Sequence, residues 1–378
     1  MYFNFFTSIV LLLSTIRIAF ASTVAFASAI AFAVPVKIGF VDPLSGDVAA
    51  YGEEQVNGVK LALEEINAKG VILDAIFADD EGKPEKTVNV VKKFIELDQV
   101  SALIGTPLSS TTLAAAKYAQ ESEVPIMTPS ATNDRITDCG EYVSRICFID
   151  SFQGLVMARF AAEKLNLKKG AILIHQGNDY SEGIAKNFKT AYEQKGGHIV
   201  YEDRYRSGDT DFSVLIEKAK NSGCEVLFIP GYYTEVGPMI KQGNTAWKNI
   251  VLLGADGWDS PDIFKLGNFS GLQAYMSTHF SSEDQNPQVQ SFVEKYNKKY
   301  GKKPGAMAAL GYDATKIMAW VVEQAGSDSE KIKNTINSLK NYQGVTGSIT
   351  LNEKRNAEKE AVIMKVTQSG YEFVGHST

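Results

Sequence analysis

The chain has 378 residues, with 38 Lys and Arg against 44 Asp and Glu for a formal net charge of −6, and 44% of its residues are hydrophobic. The charges are spread along the chain, and no basic run is long enough to follow a phosphate backbone, which argues against nucleic-acid binding. This length exceeds one ordinary hydrophobic core, so two domains are expected.

Residues 1–36 carry one charged side chain, Arg17, among Phe, Ile, Leu, Val and Ala. Ala-Phe-Ala occurs three times, ending at Ala21, Ala27 and Ala33, and each copy fits the small-x-small pattern that follows the apolar core of a signal peptide. A signal peptide over residues 1–33 is predicted, with export to the periplasm or the outer face of the cell membrane. The stretch from Ile9 to Ala33 is also long enough to cross a bilayer if left uncut, so a retained anchor is the alternative. There is no Leu-x-x-Cys lipobox to support lipid attachment. Of the three cysteines, Cys139 and Cys147 could close a small loop in an oxidising compartment. Cys147, however, stands in the apolar run Ile146-Cys147-Phe148-Ile149, where a buried free thiol is expected.

From residue 36 the chain alternates. Val36 to Val41 reads as a buried strand, and Val56, Val59, Leu63 and Ile66 recur at helical spacing within Tyr51 to Lys69. The pattern continues with strand Ile72 to Phe77, helix Pro84 to Leu97, strand Ala102 to Ile104, helix Thr111 to Glu121 and strand Pro125 to Met127. A second series follows: helix Gln153 to Leu165, strand Ala171 to His175, helix Ser181 to Lys195, strand His198 to Tyr201, helix Asp211 to Ser222, strand Val226 to Ile229, helix Glu235 to Gly243 and strand Ile250 to Leu253. The tail has helices near Gln288 to Tyr300, Ala306 to Ala325 and Ser329 to Leu339, then short strands near Gly347 to Leu351, Ala361 to Val366 and Tyr371 to Val374. Alternation of this kind predicts an α/β fold with parallel sheets, here in two series of one architecture.

Ligands of open parallel sheets sit beyond the carboxyl ends of the strands. The loops there read DPLSGDVAAYG after Val41, GTPLSSTT after Ile104, TPSATN after Met127, QGNDYSEG after His175, PGYYTE after Ile229 and GADGWD after Leu253. They contain no Gly-x-Ser-x-Gly elbow, Walker loop, Gly-x-Gly-x-x-Gly, His-x3-4-His or Cys-x2-Cys, so neither an enzyme nor a bound metal or cofactor is expected. The four histidines, His175, His198, His279 and His376, are scattered and read as structural or surface residues. Hydroxyls, backbone amides, a carboxylate and aromatic rings suit a small zwitterion instead. Its carboxylate needs donors, its ammonium an acid, and its apolar side chain rings.

Seven stretches in order carry a resemblance to a known family: VKIGFVDPLSGDVAAYGEEQVNGVKLALEEINAKG, FADDEGKPEKTVNVVKKFI, LIGTPLSSTT, VPIMTPSATN, NDYSEG, PGYYTE and GADGWDSP. The chain resembles the amino-acid-binding proteins of ABC importers related to the leucine/isoleucine/valine-binding protein. The resemblance implies the type I periplasmic binding fold, two Rossmann-like lobes joined by a three-crossing hinge that closes on a ligand. Lobe one would be residues 36–150 plus 280–350, and lobe two 151–279 plus 351–378. Carried over onto this sequence, Ser109 would bind the α-carboxylate, and Ser130, Ala131 and Thr132 would contact both carboxylate and ammonium. From lobe two, Tyr180 would reach the carboxylate on closure, Tyr232 would line the site and Asp256 would hold the ammonium. Tyr51 would lie near the ligand side chain.

Asp256 stands where the family has Glu, the family's Cys pair bracketing lobe one is absent, and the indole of Trp258 is expected to alter pocket depth. Packing readings stay open for some of these residues: a capping role for Tyr51, and lobe packing for Tyr233 and Trp258. The implied partners are a branched-chain or similar apolar amino acid and a membrane permease, with the binding protein itself a monomer. Relatives with this fold that bind amides, urea or aromatic acids, and a membrane-anchored sensory receptor, are the competing readings. N-terminal sequencing of the secreted protein is expected to begin at Val34; a mature protein that retains Met1 would establish the anchor instead.

Overall fold

The computed structural model describes residues 35–377 apart from residues 69 and 71. The expected leader, residues 1–33, lies outside the described residues. The first series forms β1 (Val36–Asp42), α1 (Ala49–Asn67), β2 (Leu73–Asp79), α2 (Pro84–Glu96), β3 (Ala102–Gly105), α3 (Ser109–Glu121), β4 (Ile126–Thr128) and β5 (Val143–Arg145). Its sheet has the order β2-β1-β3-β4-β5, with every pair parallel. Ile38, Phe40 and Val41 of β1 are wholly buried, because a parallel strand covered on both faces needs apolar side chains on both. β5 goes unread in the sequence because three residues, two of them Ser144 and Arg145, carry no strand pattern. It forms by pairing with β4, Ile126 opposite Val143.

The second series forms α4 (Asp150–Arg159), β6 (Lys169–His175), α5 (Asp179–Gln194), β7 (His198–Tyr205), α6 (Ser213–Asn221), β8 (Val226–Phe228), α7 (Tyr233–Gly243), β9 (Val251–Gly254), α8 (Asp262–Leu266) and β10 (Gln273–Thr278). The chain then returns to the first sheet with α9 (Pro287–Tyr300), α10 (Ala306–Ala325) and α11 (Ser329–Asn337), followed by a small antiparallel sheet of β11 (Tyr342–Gly344), β12 (Gly347–Leu351) and β13 (Ala357–Glu358). β14 (Ala361–Thr367) and β15 (Gly370–Ser377) complete the second sheet, of order β15-β14-β10-β9-β8-β6-β7. Its body is parallel, while β14 and β15 are antiparallel additions at one edge.

One boundary differs from the sequence reading, which ends lobe one at residue 350. Residues 351–358 stay beside the first sheet: Leu351 N donates to Leu339 O at 3.0 Å, Arg355 Nε to Val143 O at 3.1 Å, and Thr137 Oγ1 to Asn356 Oδ1 at 3.1 Å. The crossing falls between β13 and β14. Hydrogen-bond partners decide this, and two of the three lie more than 200 residues away in the chain.

The cysteines are free, and Cys147 is buried as its apolar neighbours predict. Its thiol is pushed up to about 12 by burial, so no thiolate is available for exchange. α10 lies across α1 at very close range. A Cβ on Gly58 would stand 1.9 Å from Ala308 O, and one on Gly311 2.5 Å from Gln55 O. Both obstacles are backbone, which cannot rotate away. Gly58→Ala is therefore expected to cost about 2 kcal/mol or more through overpacking, despite a helix-propensity gain of about 1 kcal/mol. A lowered urea midpoint at unchanged m-value checks this; an unchanged midpoint would show that the helices separate freely.

Candidate functional site

The strands of both sheets end at one interlobe cleft, and the loops identified in the sequence meet there. Tyr51, Ser109, Ser130, Thr132, Tyr180, Tyr232 and Asp256 line a single cavity together with Pro107, Leu108, Gly257 and Met307. Ala131 does not join them. Its side chain is buried in the core of the first sheet, its N–H donates to Thr128 Oγ1 at 3.1 Å, and its carbonyl accepts from Arg145 Nη1 at 3.0 Å. Neither backbone group of Ala131 is left for a ligand.

Arg145 explains how this loop is held. The guanidinium is wholly buried and donates to Ala131 O and, at 2.8 Å, to Asn133 O, pinning the loop on either side of Thr132. Burial lowers its pKa, while Cys147, Asp150 and Asp134 act the other way. Ser109, in the first turn of α3, accepts a hydrogen bond from Asn133 N at 3.2 Å. The hydroxyl of Ser130 donates to Gln55 Oε1 at 3.3 Å. The helix start and the loop thus form one unit, with hydroxyls and N–H groups suited to an anion.

The lobe-two face is organised around Asp256, which is 3% exposed in the 3₁₀ turn Asp256–Trp258 after β9. Its Oδ1 accepts from Gln153 Nε2 at 2.9 Å and from Tyr180 OH at 2.8 Å, and its Oδ2 lies 3.0 Å from His279 Nε2. Gln153 also accepts from Asp256 N at 2.8 Å and from Ser277 Oγ at 2.8 Å. Tyr180 is placed in the first turn of α5, whose start is capped by Asn178 accepting from Ser181 N at 3.0 Å. Burial lowers the His279 pKa, partly opposed by Asp256, so the ring is neutral near pH 7 and donates from Nε2 to the carboxylate. Phe148 stacks on it at 3.7 Å. His279 is thus a buried structural residue whose partner is the Asp256 carboxylate.

Aromatic rings close the rest of the cavity. Tyr180 and Tyr232 stack at 5.1 Å, and Tyr51 meets Tyr232 edge-on at 5.9 Å and Tyr233 at 4.9 Å. Tyr51 is no helix cap: α1 follows Val48 without a side-chain cap bond, and the Tyr51 hydroxyl donates across the cleft to Gly257 O. Trp258 is the lobe packing that the sequence left open. Its ring is wholly buried against Gly254, with Nε1 donating to Ile229 O at 2.9 Å, so it does not set pocket depth.

Sequence reasoning missed Gln153, His279, Asp150, Arg145 and Met307. Asp150 opens α4, where its carboxyl is wholly buried. Burial raises its pKa well above the usual carboxylate range, with Asp256 and Asp134 adding and the Thr132 hydroxyl opposing. The usable signal was Asp150 itself, an acid directly after an apolar run; Gln153 and Met307 had none.

The lobes are closed on one another. Ser110 Oγ donates to Asp179 Oδ2 at 2.9 Å, Asn133 Nδ2 to Asp179 O at 2.7 Å, and Tyr233 OH to Asp47 O at 3.0 Å. The cavity between them is about 10 Å³, room for roughly one water. Any larger ligand therefore requires the lobes to part and the rings to shift.

Two lobes closing around polar groups at the ends of parallel strands define a clamshell solute-binding protein, of the type I periplasmic binding fold. The chain belongs to the periplasmic binding protein family, whose model matches residues 35–371. It is 29% identical over 325 residues to the leucine-, isoleucine-, valine-, threonine- and alanine-binding protein of Pseudomonas aeruginosa, covering 84% of this chain and 86% of that one. It is 31% identical to a Leu/Ile/Val-binding protein homologue of Brucella melitensis, covering 89% and 92%. Among solved structures, a leucine-binding protein of Thermotoga maritima superposes with a TM-score of 0.85 at 33% identity, covering 90% of this chain and 98% of that one. A branched-chain amino acid transporter binding protein of Streptococcus pneumoniae, in complex with isoleucine, gives 0.84 at 30% identity, covering 90% and 99%.

Arg145→Ala is expected to destabilise the protein by about 3 kcal/mol, because two buried carbonyls lose charge-assisted donors. A stability loss below about 1 kcal/mol by chemical denaturation would show that the loop is held some other way.

Proposed function

We propose that this protein captures a branched-chain or similar apolar amino acid between its lobes and delivers it to the permease of an ABC importer, acting as an exported, non-enzymatic monomer. The supporting observation is that hydroxyl donors and a helix start face a carboxylate within one closed cavity. Lobe one offers the Ser109 and Thr132 hydroxyls and the start of α3 to an α-carboxylate. Lobe two offers Asp256, with Asp150 nearby, to an ammonium. Tyr51, Tyr180, Tyr232 and Met307 provide apolar contact for the side chain. Family membership and relatives that bind leucine or isoleucine support the same reading, as does their use in transport.

Closure would follow from ligand contacts made by both lobes only when shut, so that binding shifts an open-to-closed equilibrium. Asp256 is held by Gln153, Tyr180 and His279 in the closed arrangement. An arriving ammonium would replace one of these donors. Because the carboxylate is already desolvated and oriented, its own reorganisation is small, and the cost of admitting a ligand lies in parting the lobes and shifting the rings. Ligands without an ammonium, such as amides or aromatic acids, would bring no positive charge to Asp256, which favours an amino acid over them.

Calorimetry with leucine, isoleucine and valine is expected to show binding that Asp256→Ala weakens at least about 100-fold, the cost of removing one partner of a buried charge pair. Unchanged affinity in a folded Asp256→Ala protein would remove Asp256 from the site. A thermal-shift panel adding amides and benzoates is expected to respond to the amino acids alone.

A further inference from the structure

Glu54 stands one turn along α1 from Tyr51, yet it lines a second and far larger cavity of about 840 Å³. The walls come from both lobes: Glu54 and Gly305 on one side, Asp259, Phe264 and Tyr371 on the other. Both acids are deeply buried, Glu54 at 6% and Asp259 at 5% exposure. Glu54 is half satisfied, and Asp259 is bonded by Thr278 and by the Ala306 N–H. Glu54 Oε1 accepts from Gly305 N at 2.6 Å and Asp259 Oδ2 from Thr278 Oγ1 at 2.5 Å. Glu54 Oε2 is buried without a hydrogen-bond partner. A methyl group placed on Gly305 would lie 2.7 and 3.1 Å from the two Glu54 oxygens and 3.1 Å from Asp259 Oδ1. The two carboxylates, one from each lobe, therefore converge on one small region.

Neither acid is in a salt bridge with a basic side chain. Lys302 attracts Glu54 only at a distance, its ammonium being paired with Glu53 at 2.9 Å, and Lys265 pairs with Asp262 at 2.5 Å, while Lys303 and Glu283 complete the charged wall. The phenols of Tyr296 and Tyr371 face the acids electrostatically without supplying positive charge at neutral pH. Two buried, converging acids without a cation are costly unless a proton or a bound cation neutralises them. A divalent metal requires more oxygen ligands than two carboxylates, and among the described residues no group of three or more His, Cys, Asp or Glu could hold one. An ammonium head needs only a few acceptors, and Phe264, Phe280, Met276 and Met364 offer apolar contact to a hydrocarbon tail.

We propose that this cavity is a second binding site, for a primary alkyl- or aralkylammonium ion whose head bridges Glu54 and Asp259. The proposal does not rest on the amino-acid reading of the cleft. Because the two acids come from opposite lobes, the bound cation ties the lobes together. Burial first, then the Asp259 charge, pushes Glu54 up to about 8, and burial pushes Asp259 up to about 6. A proton therefore occupies Glu54 at neutral pH, and an arriving alkylammonium displaces it to solvent. Binding consequently strengthens as pH rises, by about tenfold per unit until Glu54 is ionised.

The test is thermal unfolding and calorimetry of the whole protein with millimolar n-butylamine and phenethylamine, against n-butanol, sodium chloride and calcium chloride. Both amines are expected to stabilise the protein, more strongly at about pH 8.5 than at about pH 6.5. The effect is expected to vanish in Glu54→Gln and in Asp259→Asn, both of which keep amino-acid binding, and to persist in Asp256→Ala. Absence of stabilisation by either amine overturns the proposal. So does stabilisation that survives both carboxamide variants, that disappears in Asp256→Ala, or that calcium alone produces. A failure of leucine binding in the unmodified protein would bear on the cleft and leave this result unaffected.

Discussion

The closed structure is organised around one buried acidic side chain. Asp256 is a carboxylate removed from water at the end of a parallel strand, and such a group is tolerated only with several donors around it. Gln153, Tyr180 and His279 supply them, and each is fixed by further bonds: Gln153 to Ser277, Tyr180 to Gly257 N, and His279 by stacking on Phe148. The face of lobe two is thus a network in which each member constrains the next. Rigid orientation of this kind gives a site its selectivity, because the network presents its charge in one position.

Lobe one solves a different problem with a buried cation. Arg145 uses its donors on the carbonyls of Ala131 and Asn133, which turns the outward-facing groups of the loop toward the cleft. The two lobes consequently offer opposite polarity across a narrow gap, hydroxyl and N–H donors on one side and carboxylates on the other. A zwitterion matches both sides at once. For the proposed ligand, closure and recognition would be one event, because neither lobe alone compensates both of its charges.

Much of the fold was legible in the sequence because buried parallel strands and amphipathic helices carry strong local patterns. β1, α1 and the second series through β9 fall where periodicity and apolar runs place them, within a few residues. β5 and β10 escaped because neither has an apolar run or clean alternation, and both owe their conformation to neighbouring strands. The position of residues 351–358 escaped for the same reason. The lining residues Ser109, Thr132, Tyr180, Tyr232 and Asp256 all belong to loops or first helical turns after strands, where topology alone directs attention. Gln153 and Met307 lie within helices, and a helix gives no local sign that one of its polar or flexible side chains faces a cleft.

The sequence by itself determined the strand and helix order, the loops that gather at the strand ends, and the residue types suited to a zwitterion, because these follow from local patterning and chain topology. Tertiary structure alone decided which atoms remain available. It consumed the Ala131 amide with Thr128, buried Trp258 in the lobe core, gave His279 to Asp256, and brought Glu54 to Asp259 across the lobes. Hydrogen-bond satisfaction is a property of three-dimensional neighbours, and a buried polar atom is free or engaged according to contacts that no local stretch of sequence encodes.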